Sequence, residues 1–359
     1  ALADFRAAHG RSPRVVAVPD KAVFAAADSL RQARVAWTAT ADAARVAQLT
    51  AAFGGPRWMD ERQYRFIEEW EVESYRQTVA GGGRGGRMRG RVVLVTGGAQ
   101  GFGLGIAHAL AHEQAMVVLA DMNVDGAQQA ADAINREHGA DTATAVGVNV
   151  TDEQAVAEMV QAVITTYGGL DVLINNAGVL RAGSVKELDK ADWDLVNNVN
   201  YTGYFLCVKH TAPVLAAQNH ADDAGYADIV QVSSKSGLEG SNRNAAYAGS
   251  KFGGIGLTQS FALELIDDRV KVNSICPGNF FDGPLWSDPE KGLFVQYLRS
   301  GKVPGAETIA DVKAAYEAKV PMGRGCNPLD VARAIMYVVE QQYETGQAVP
   351  VTGGQVMLR

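Results

Sequence analysis

Short runs of apolar residues alternate with longer amphipathic stretches along most of this chain of 359 residues. Continuous apolar runs are typical of strands buried on both faces, and the stretches between them have the length of helices. We expect seven strands, over residues 91–96, 115–120, 143–149, 171–174, 228–233, 270–275 and 348–351. We expect helices near residues 102–113, 124–137, 152–167, 190–218, 246–267 and 328–341. This alternation predicts an α/β fold, in which helices cover both faces of a doubly wound, parallel, seven-stranded sheet.

Residues 279–325 interrupt this alternation. They hold several prolines, aromatic residues and one helical stretch, IADVKAAYEAKV. They would lie over the carboxyl edge of the sheet, where ligands bind in such folds. We interpret the segment as a substrate lid, and a packing excursion at a subunit interface is the alternative.

A glycine-rich run divides the chain. Residues 81–87 read GGGRGGR, and glycine at this density has a high entropic cost of ordering, so we predict a linker here. An RNA-binding interpretation of the run is weak, because the run is single and lacks aromatic residues. Residues 1–80 then form a mainly helical appendage, and residues 88–359 form the main domain. Within the appendage we expect a strand at 14–18, a long amphipathic helix over 25–53 and a charged helix over 60–76.

Composition narrows the class of protein. A hydrophobic share of 47% suits a globular core, and no apolar run approaches the length of a membrane span. The net charge of −7 gives no reason to expect a nucleic acid or an anionic membrane as partner. The three cysteines lack CxxC spacing and cannot all pair, which favours a reducing cytoplasm. The six histidines form no HxH or HExxH pattern, so no metal is expected.

A candidate phosphate-binding turn follows the first strand of the predicted sheet. Gly97, Gly101 and Gly103 stand between an apolar run and a helix start, where free backbone N–H groups can bind a pyrophosphate. The next strand ends at Asp121, close to the spacing at which a carboxylate hydrogen-bonds an adenosine ribose. Strand, glycine turn, helix, strand and acid in this order predict a dinucleotide site.

The expected dinucleotide is NAD rather than NADP. The Asp121 carboxylate would accept two ribose hydroxyls and repel a 2′-phosphate. An NADP site would favour Arg or Lys in the glycine turn or just past the strand, where this chain has Gln100 and Met122.

Tyr247 and Lys251 are four residues apart at a predicted helix start, so their side chains share a face. A tyrosine is a poor base at pH 7, and a neighbouring cation lowers its pKa. Ser234, thirteen residues before the tyrosine, could hold a carbonyl or carbinol oxygen beside the phenol. The three residues predict a proton-transfer device for an alcohol/ketone pair. The alternative for the Tyr–Lys pair alone is an ordinary helix surface.

Five motifs together resemble those of the short-chain dehydrogenase/reductases, in the same order and over roughly residues 88–359. They are Thr96-Gly97-x-x-x-Gly101-x-Gly103, Asn175-Asn176-Ala177-Gly178, Asn200, Ser234 and Tyr247-x-x-x-Lys251. The resemblance implies a Rossmann-type fold with Tyr247 as general acid/base and Ser234 orienting the substrate oxygen. It implies that Lys251 lowers the tyrosine pKa and binds the nicotinamide ribose, and that Asn200 positions a water beside Lys251. An alternative for Asn200 is a helix residue that satisfies a local backbone group.

The resemblance also implies a wider set of cofactor contacts. The set is Gly97, Gln100, Gly101, Phe102, Gly103, Asp121, Met122, Asn149, Val150, Asn176, Ala177, Gly178, Tyr247, Lys251, Pro277, Gly278 and Asn279. Two positions depart from the family pattern. Asn149 stands where many members have Asp, and Asp282 stands where members often have a threonine that holds the nicotinamide amide. Asn279, Phe280 and the neighbouring backbone would take over the amide contact.

Loop and tail segments narrow the resemblance to the polyol dehydrogenases of the family, including sorbitol-6-phosphate 2-dehydrogenases. These segments are SKSG at 234–237, SKFGGIGLTQSFALEL at 250–265, VPMGRGC at 320–326 and TGQAVPVTGGQVM at 345–357. The implied substrate is a polyol or sugar phosphate, and the implied assembly is a homo-oligomer, either a tetramer or a dimer. Candidate substrate contacts are Lys235, Ser236, Arg243, Asn279 and Arg324, and each cation among them could equally be a solvated surface charge.

Two other functions stay open. One is a family member with a different substrate, such as a free sugar alcohol, a 3-oxoacyl compound or a steroid. The other is a non-catalytic dinucleotide-binding module. Residues 1–80 resemble the end of a class II aldolase domain of fused aldolase/dehydrogenase proteins, which would make the chain part of a longer protein or leave it a docking arm. His9 is the only histidine in that segment, so the paired histidines that bind the aldolase metal are missing and no aldolase activity is expected.

Overall fold

The computed structural model describes residues 2–68, 70, 85–221, 225–290, 292–299, 301 and 303–357. The chain divides into two compact units, Ala1–Gly90 and Arg91–Arg359. The predicted linker at 81–87 falls partly outside the described residues, which resume at Gly85. The proposed domain boundaries therefore stay predictions.

The larger unit is built on a seven-stranded sheet in which every neighbouring pair is parallel. Its strands are β3 (Val92–Thr96), β4 (Met116–Asp121), β5 (Ala143–Gly147), β6 (Val172–Asn175), β7 (Ala227–Val232), β8 (Val270–Pro277) and β9 (Ala348–Val351). Their order across the sheet is β5-β4-β3-β6-β7-β8-β9. The order reverses between β3 and β6, and ligands of such sheets bind at the carboxyl edge beside this point.

Helices connect the strands of this unit. Outside the segment predicted as a lid, these helices are α4 (Gly101–His112), α5 (Val124–His138), α6 (Glu153–Tyr167), α7 (Lys190–Asn197), α8 (Gly203–Ala221), α9 (Ala245–Leu265) and α13 (Pro328–Glu340). A π-helical turn, Asn198–Thr202, joins α7 to α8 where one continuous helix was predicted. Every residue of β3, β6, β7 and β8 is buried, which explains why these strands are mostly apolar. The buried charges of β7 and β8, Asp228 and Lys271, pair with each other at 3.1 Å. The predicted doubly wound parallel sheet is confirmed.

The segment predicted as a lid has its own small core. It contains the short helices α10 (Pro284–Ser287), α11 (Leu293–Arg299) and α12 (Ile309–Glu317). The buried residues of this core are Phe281, Trp286, Leu293, Phe294, Val312 and Val320. A packed cluster of this kind gives the segment a defined shape, and its role as a lid stays a prediction.

The smaller unit contains α1 (Leu2–His9), a hairpin of β1 (Val15–Val18) and β2 (Ala22–Ala25), α2 (Leu30–Thr50) and α3 (Glu61–Glu68). The predicted helix start at residue 25 is wrong. That residue ends β2, and α2 begins only after Ser29, whose hydroxyl accepts a hydrogen bond from the Gln32 backbone at 3.3 Å. Residues 69 and 71–76 of the predicted charged helix lie outside the described residues. Across the described part of the chain, no helix has the length and apolar character needed to cross a membrane.

Candidate active site

Hydrogen bonds join the glycine turn between β3 and α4 to the loop that follows β6. The Thr96 hydroxyl accepts hydrogen bonds from the backbone N–H groups of Asn176 and Ala177, each at 3.1 Å. The Asn176 amide donates to the carbonyls of Thr96 and Gly97, each at 3.0 Å. Asn176 therefore fixes the shape of the turn. The role of Thr96 was not predicted, because its partners lie 80 positions or more along the chain.

The backbone of the turn is shaped so that its N–H groups can bind an anion. Gly97 and Gly101 have φ values of +66° and +62°, in the left-handed region that favours glycine. A Cβ atom on Gly103 would lie 2.1 Å from the Gly97 carbonyl oxygen, whereas one on Gly101 would point into open space. Gln100, the N-cap residue of α4, makes no side-chain capping bond. The first N–H groups of α4 are thus left for a ligand, and a dinucleotide pyrophosphate fits this arrangement.

Asp121 ends β4 beside the turn. Its two carboxylate oxygens accept hydrogen bonds from the backbone N–H groups of Ala99 at 3.0 Å and Asn123 at 2.9 Å. Each oxygen keeps a further lone pair, so the carboxylate can still accept from ribose hydroxyls. Met122 is exposed next to it.

Tyr247, Lys251 and Ser234 come together where α9 begins and β7 ends. The Lys251 ammonium lies 5.6 Å from the centre of the Tyr247 ring. Burial raises the pKa of Tyr247, while the nearby Ser234 side chain acts in the opposite direction and lowers this pKa. Burial lowers the pKa of Lys251 to about 8. The three residues predicted to transfer a proton therefore lie together, and their catalytic role stays a prediction.

The Lys251 side chain is buried, and its ammonium donates to the Val232 carbonyl at 2.9 Å. Its other hydrogens are available to a ligand or a water, since an ammonium has three donors. Gly178 is next to it, because a Cβ atom there would lie 3.6 Å from Lys251 Nζ and 3.3 Å from Asn200 Oδ1. The absence of a side chain at Gly178 leaves space beside the ammonium.

Asn200 lies buried in the π-helical turn. Its amide donates to the Val179 carbonyl at 2.9 Å and to the Ser250 hydroxyl at 3.1 Å, and its oxygen accepts from the Val179 N–H at 2.8 Å. The side chain thus connects the loop after β6 to helix α9. A water beside Lys251 would have to use the remaining lone pair of Asn200 Oδ1 or a backbone group.

The end of β8 supplies the other wall of the predicted cofactor site. Pro277 and Gly278 are buried, and the Asn279 carbonyl accepts from the Cys326 N–H at 2.8 Å. The Phe280 ring is 4.9 Å from the Phe102 ring, which links this loop to the first turn of α4. Asp282, which replaces the usual threonine, pairs with Lys313 of α12 at 2.8 Å.

Two further cofactor candidates lie after β5. Asn149 is exposed, and its Oδ1 accepts from the Thr151 N–H at 3.1 Å and the Thr151 hydroxyl at 2.9 Å. Val150 is buried, and a Cβ atom on Gly203 would lie 2.9 Å from it. Asn149 therefore organises the loop, while Val150 packs against the start of α8.

The candidate substrate residues have different surroundings. Arg324 pairs with both Asp330 oxygens, at 2.6 and 2.9 Å, and Arg243 lies 3.6 Å from Glu187. Ser236 is buried, and its N–H donates to the Ser234 hydroxyl at 3.1 Å. Lys235 is half-buried, and the predicted lid brings Lys319 near it, a residue that the sequence did not suggest.

Comparison with known proteins matches residues 91–286 to the family model described as short chain dehydrogenase. Sorbitol-6-phosphate 2-dehydrogenase of Escherichia coli strain K12 is 35% identical over 270 residues, which are 74% of this chain and 99% of that protein. The 3-oxoacyl-acyl-carrier-protein reductase FabG of Thermotoga maritima is 32% identical over 277 residues, which are 76% of this chain and 100% of that protein. The crystal structure of sorbitol-6-phosphate 2-dehydrogenase SrlD from Erwinia amylovora aligns with a TM-score of 0.68 at 36% identity, over 74% of this chain and all of that one.

Proposed function

The chain belongs to the short-chain dehydrogenase/reductase family, and from this premise we propose that it oxidises a secondary alcohol of a polyol or polyol phosphate with NAD. The reaction would be of the sorbitol 6-phosphate to fructose 6-phosphate type, with ketose reduction as its reverse. The observation that carries the proposal is the proximity of Tyr247, Lys251 and Ser234 to one another, with Gly178 next to the Lys251 ammonium.

In the proposed oxidation, Tyr247 accepts the proton of the substrate hydroxyl while the Ser234 hydroxyl orients the same oxygen. The charge of Lys251 favours the phenolate form of Tyr247. Its unused donors can bind the nicotinamide ribose. When bound, the nicotinamide supplies the hydride acceptor for the carbinol carbon, and the protein's contribution is placement and the proton.

The choice of NAD rests on Asp121. The family binds a nicotinamide dinucleotide, and a carboxylate at this position repels a 2′-phosphate while it accepts ribose hydroxyls. The neighbouring Met122 is neutral, and so is Gln100 in the turn. A 2′-phosphate would therefore meet a negative charge without a compensating cation on these two side chains.

Two lysines support a phosphorylated substrate. Lys235 follows Ser234 directly; burial lowers its pKa, Glu239 raises it, and the nearby positive charge of Lys319 lowers it further. The Lys319 ammonium lies 4.3 Å from the centre of the Tyr316 ring, within the predicted lid. In the part of the chain that the structure describes, neither ammonium has a carboxylate within 4.0 Å. A phosphate between the two lysines would replace their repulsion with attraction.

The relative from Thermotoga maritima favours a second candidate, the reduction of a 3-oxoacyl substrate. The polar residues that closely precede Tyr247 in the sequence, including Asn242 and Asn244, fit a hydroxylated substrate better than an acyl chain. An assay of both substrate classes separates the two candidates.

The test is the rate of NADH formation with sorbitol 6-phosphate and with free sorbitol, each offered with NAD and with NADP. We expect turnover of the phosphorylated alcohol with NAD. Turnover of free polyols alone would remove the phosphate from the proposal, and turnover of an acyl substrate alone would replace the polyol.

The phosphate contact has its own test in the charge-neutral variants Lys235→Met and Lys319→Met. Each should raise the KM for sorbitol 6-phosphate by about tenfold, equivalent to about 1.4 kcal/mol, because one charged contact is lost. Neither should change the KM for a free polyol. Lys313→Met is the matched control, since Lys313 lies on the same lid helix as Tyr316 but is paired with Asp282. Equal KM effects in all three variants would contradict the phosphate contact.

A further inference from the structure

We propose that the chain has a second ligand site, a divalent transition-metal site that fits Zn²⁺, formed by His108, Glu137 and His138. One donor atom from each residue lies within 4.8 Å of the other two. The site is at the opposite end of α4 from the glycine turn, because His108 and His112 lie about 10 and 16 Å along this helix from its first residue. It is therefore separate from the proposed dehydrogenase site.

The donor set matches the chemistry of zinc. Two imidazoles and a carboxylate are common zinc ligands, and three protein ligands with an open fourth position are a familiar arrangement. His108 Nδ1 lies 3.8 Å from one Glu137 oxygen, and His138 Nε2 lies 3.6 Å from the other. Ligands of a tetrahedral Zn²⁺ stand about 3.4 Å apart, given metal–ligand distances near 2.1 Å. Small rotations of these side chains would close the site.

The ends of two helices meet here, and both favour a cation. His112 is the last residue of α4 and His138 the last residue of α5. The C-terminal end of a helix carries partial negative charge, so two such ends add to the charge of Glu137. The carboxylate and the two helix ends together offset the charge of a divalent ion.

A further histidine, His112, packs next to these three residues without belonging to the donor group. The His112 ring lies 6.0 Å from the His138 ring, edge to face. His108 and His112 are four residues apart on one helix and therefore share a face. The Glu137 side chain is 61% exposed, so an ion can enter from solvent and a water can take the fourth position.

The spacing of histidines along the chain did not suggest this site. The ligands come from two different helices, and the pair on α4 has helical i, i+4 spacing rather than an HxH or HExxH pattern. Only the packing of α4 beside α5 brings His108 to Glu137 and His138.

The test is calorimetric titration of ZnCl₂ into the chelator-treated, untagged full chain, together with thermal unfolding. Cys326→Ser serves as the background, since that thiol is partly accessible. We expect one Zn²⁺ per chain and an unfolding temperature that rises with ZnCl₂ concentration. His108→Gln and His138→Gln should each weaken binding by about tenfold or more, since a ligand is lost. Dehydrogenase activity without zinc should be unchanged in both variants.

His210→Gln is the matched control. His210 lies 3.3 Å from Glu153 on the same chain, but no second histidine completes that pair among the described residues. Zinc affinity should be unchanged in this control. Three results would each overturn the site. The first is binding of less than one ion per chain, and the second is a zinc affinity of the His108 and His138 variants equal to that of the background. The third is a loss of zinc affinity in His210→Gln equal to the loss in those variants. If one ligand variant fails to fold, the other still decides the question, and Glu137→Gln provides a third.

Discussion

At the scale of single residues, Lys251 links the proposed chemistry to the stability of the fold. Burial lowers its pKa to about 8, against 10.5 in the unfolded chain. Between these values the unfolded chain binds more protons than the folded one, so stability rises as pH increases through this range. Below pH 8 both forms are protonated, and the buried charge has its full cost.

Lys251→Met removes the amine that titrates in this range. From pH 8 to pH 10, the free energy of unfolding of the native chain should rise by about 1–3 kcal/mol relative to that of the variant, because only the native chain has this amine. Chemical denaturation at a series of pH values measures the difference. Parallel curves over this range would show that Lys251 does not titrate as described.

Asp121 gives a prediction about cofactor choice. Asp121→Asn keeps the shape of the side chain and one acceptor oxygen but removes the charge that repels a 2′-phosphate. The ratio of kcat/KM for NADP to kcat/KM for NAD should rise by about tenfold or more, equivalent to at least 1.4 kcal/mol. Asp125→Asn, at an exposed acid in the first turn of α5, is the control. An unchanged ratio in Asp121→Asn would mean that this carboxylate does not select NAD.

At the scale of elements, the join of β3 to α4 depends on a close approach of backbone to backbone. A Cβ atom on Gly103 would meet the Gly97 carbonyl at 2.1 Å and the Asn176 amide at 2.6 Å. Moving these atoms apart would destabilise the fold by about 1–3 kcal/mol. The groups that would have to move, the Gly97 carbonyl and the Asn176 amide, are those that shape the turn.

Gly103→Ala should therefore weaken NAD binding by about tenfold or more, as measured by fluorescence titration. Gly256→Ala is its counterpart inside α9, where an added Cβ atom has no neighbour within 4 Å. That control should leave NAD binding unchanged and stabilise the fold by about 1 kcal/mol, since alanine favours helix. Normal NAD affinity in Gly103→Ala would contradict the proposed role of the turn.

At the scale of the whole molecule, the sequence predicts the sheet well because its central strands are buried on both faces and are therefore mostly apolar. The hairpin strand β2, Ala22–Ala25, was missed although all four residues are apolar, because so short an apolar run does not distinguish a strand from the start of a helix. Contacts between distant parts of the chain were also beyond prediction. The bonds from Asn176 to Thr96, the proximity of Lys319 to Lys235 and the grouping of His108 with His138 all depend on which elements pack together.

The same packing brings the candidate catalytic residues together. Ser234 follows β7, Tyr247 and Lys251 begin α9, and Asn200 lies between α7 and α8. The residue types and their spacing could be recognised as motifs in the sequence. Their meeting could be expected as well, because the carboxyl ends of parallel strands lie at one edge of the sheet. The bonds of Asn200 to Val179 and Ser250 were not readable, since they depend on the π-helical turn.

The proposed mechanism is tested most directly by the turnover of Tyr247→Phe with NAD and sorbitol 6-phosphate, measured together with NAD binding. Tyr337→Phe, at an exposed tyrosine on α13, is the control. Removing the proton acceptor should lower kcat by about 10²–10⁴-fold while NAD affinity is kept. A Tyr247→Phe variant that turns over like the native chain would contradict the proposed mechanism.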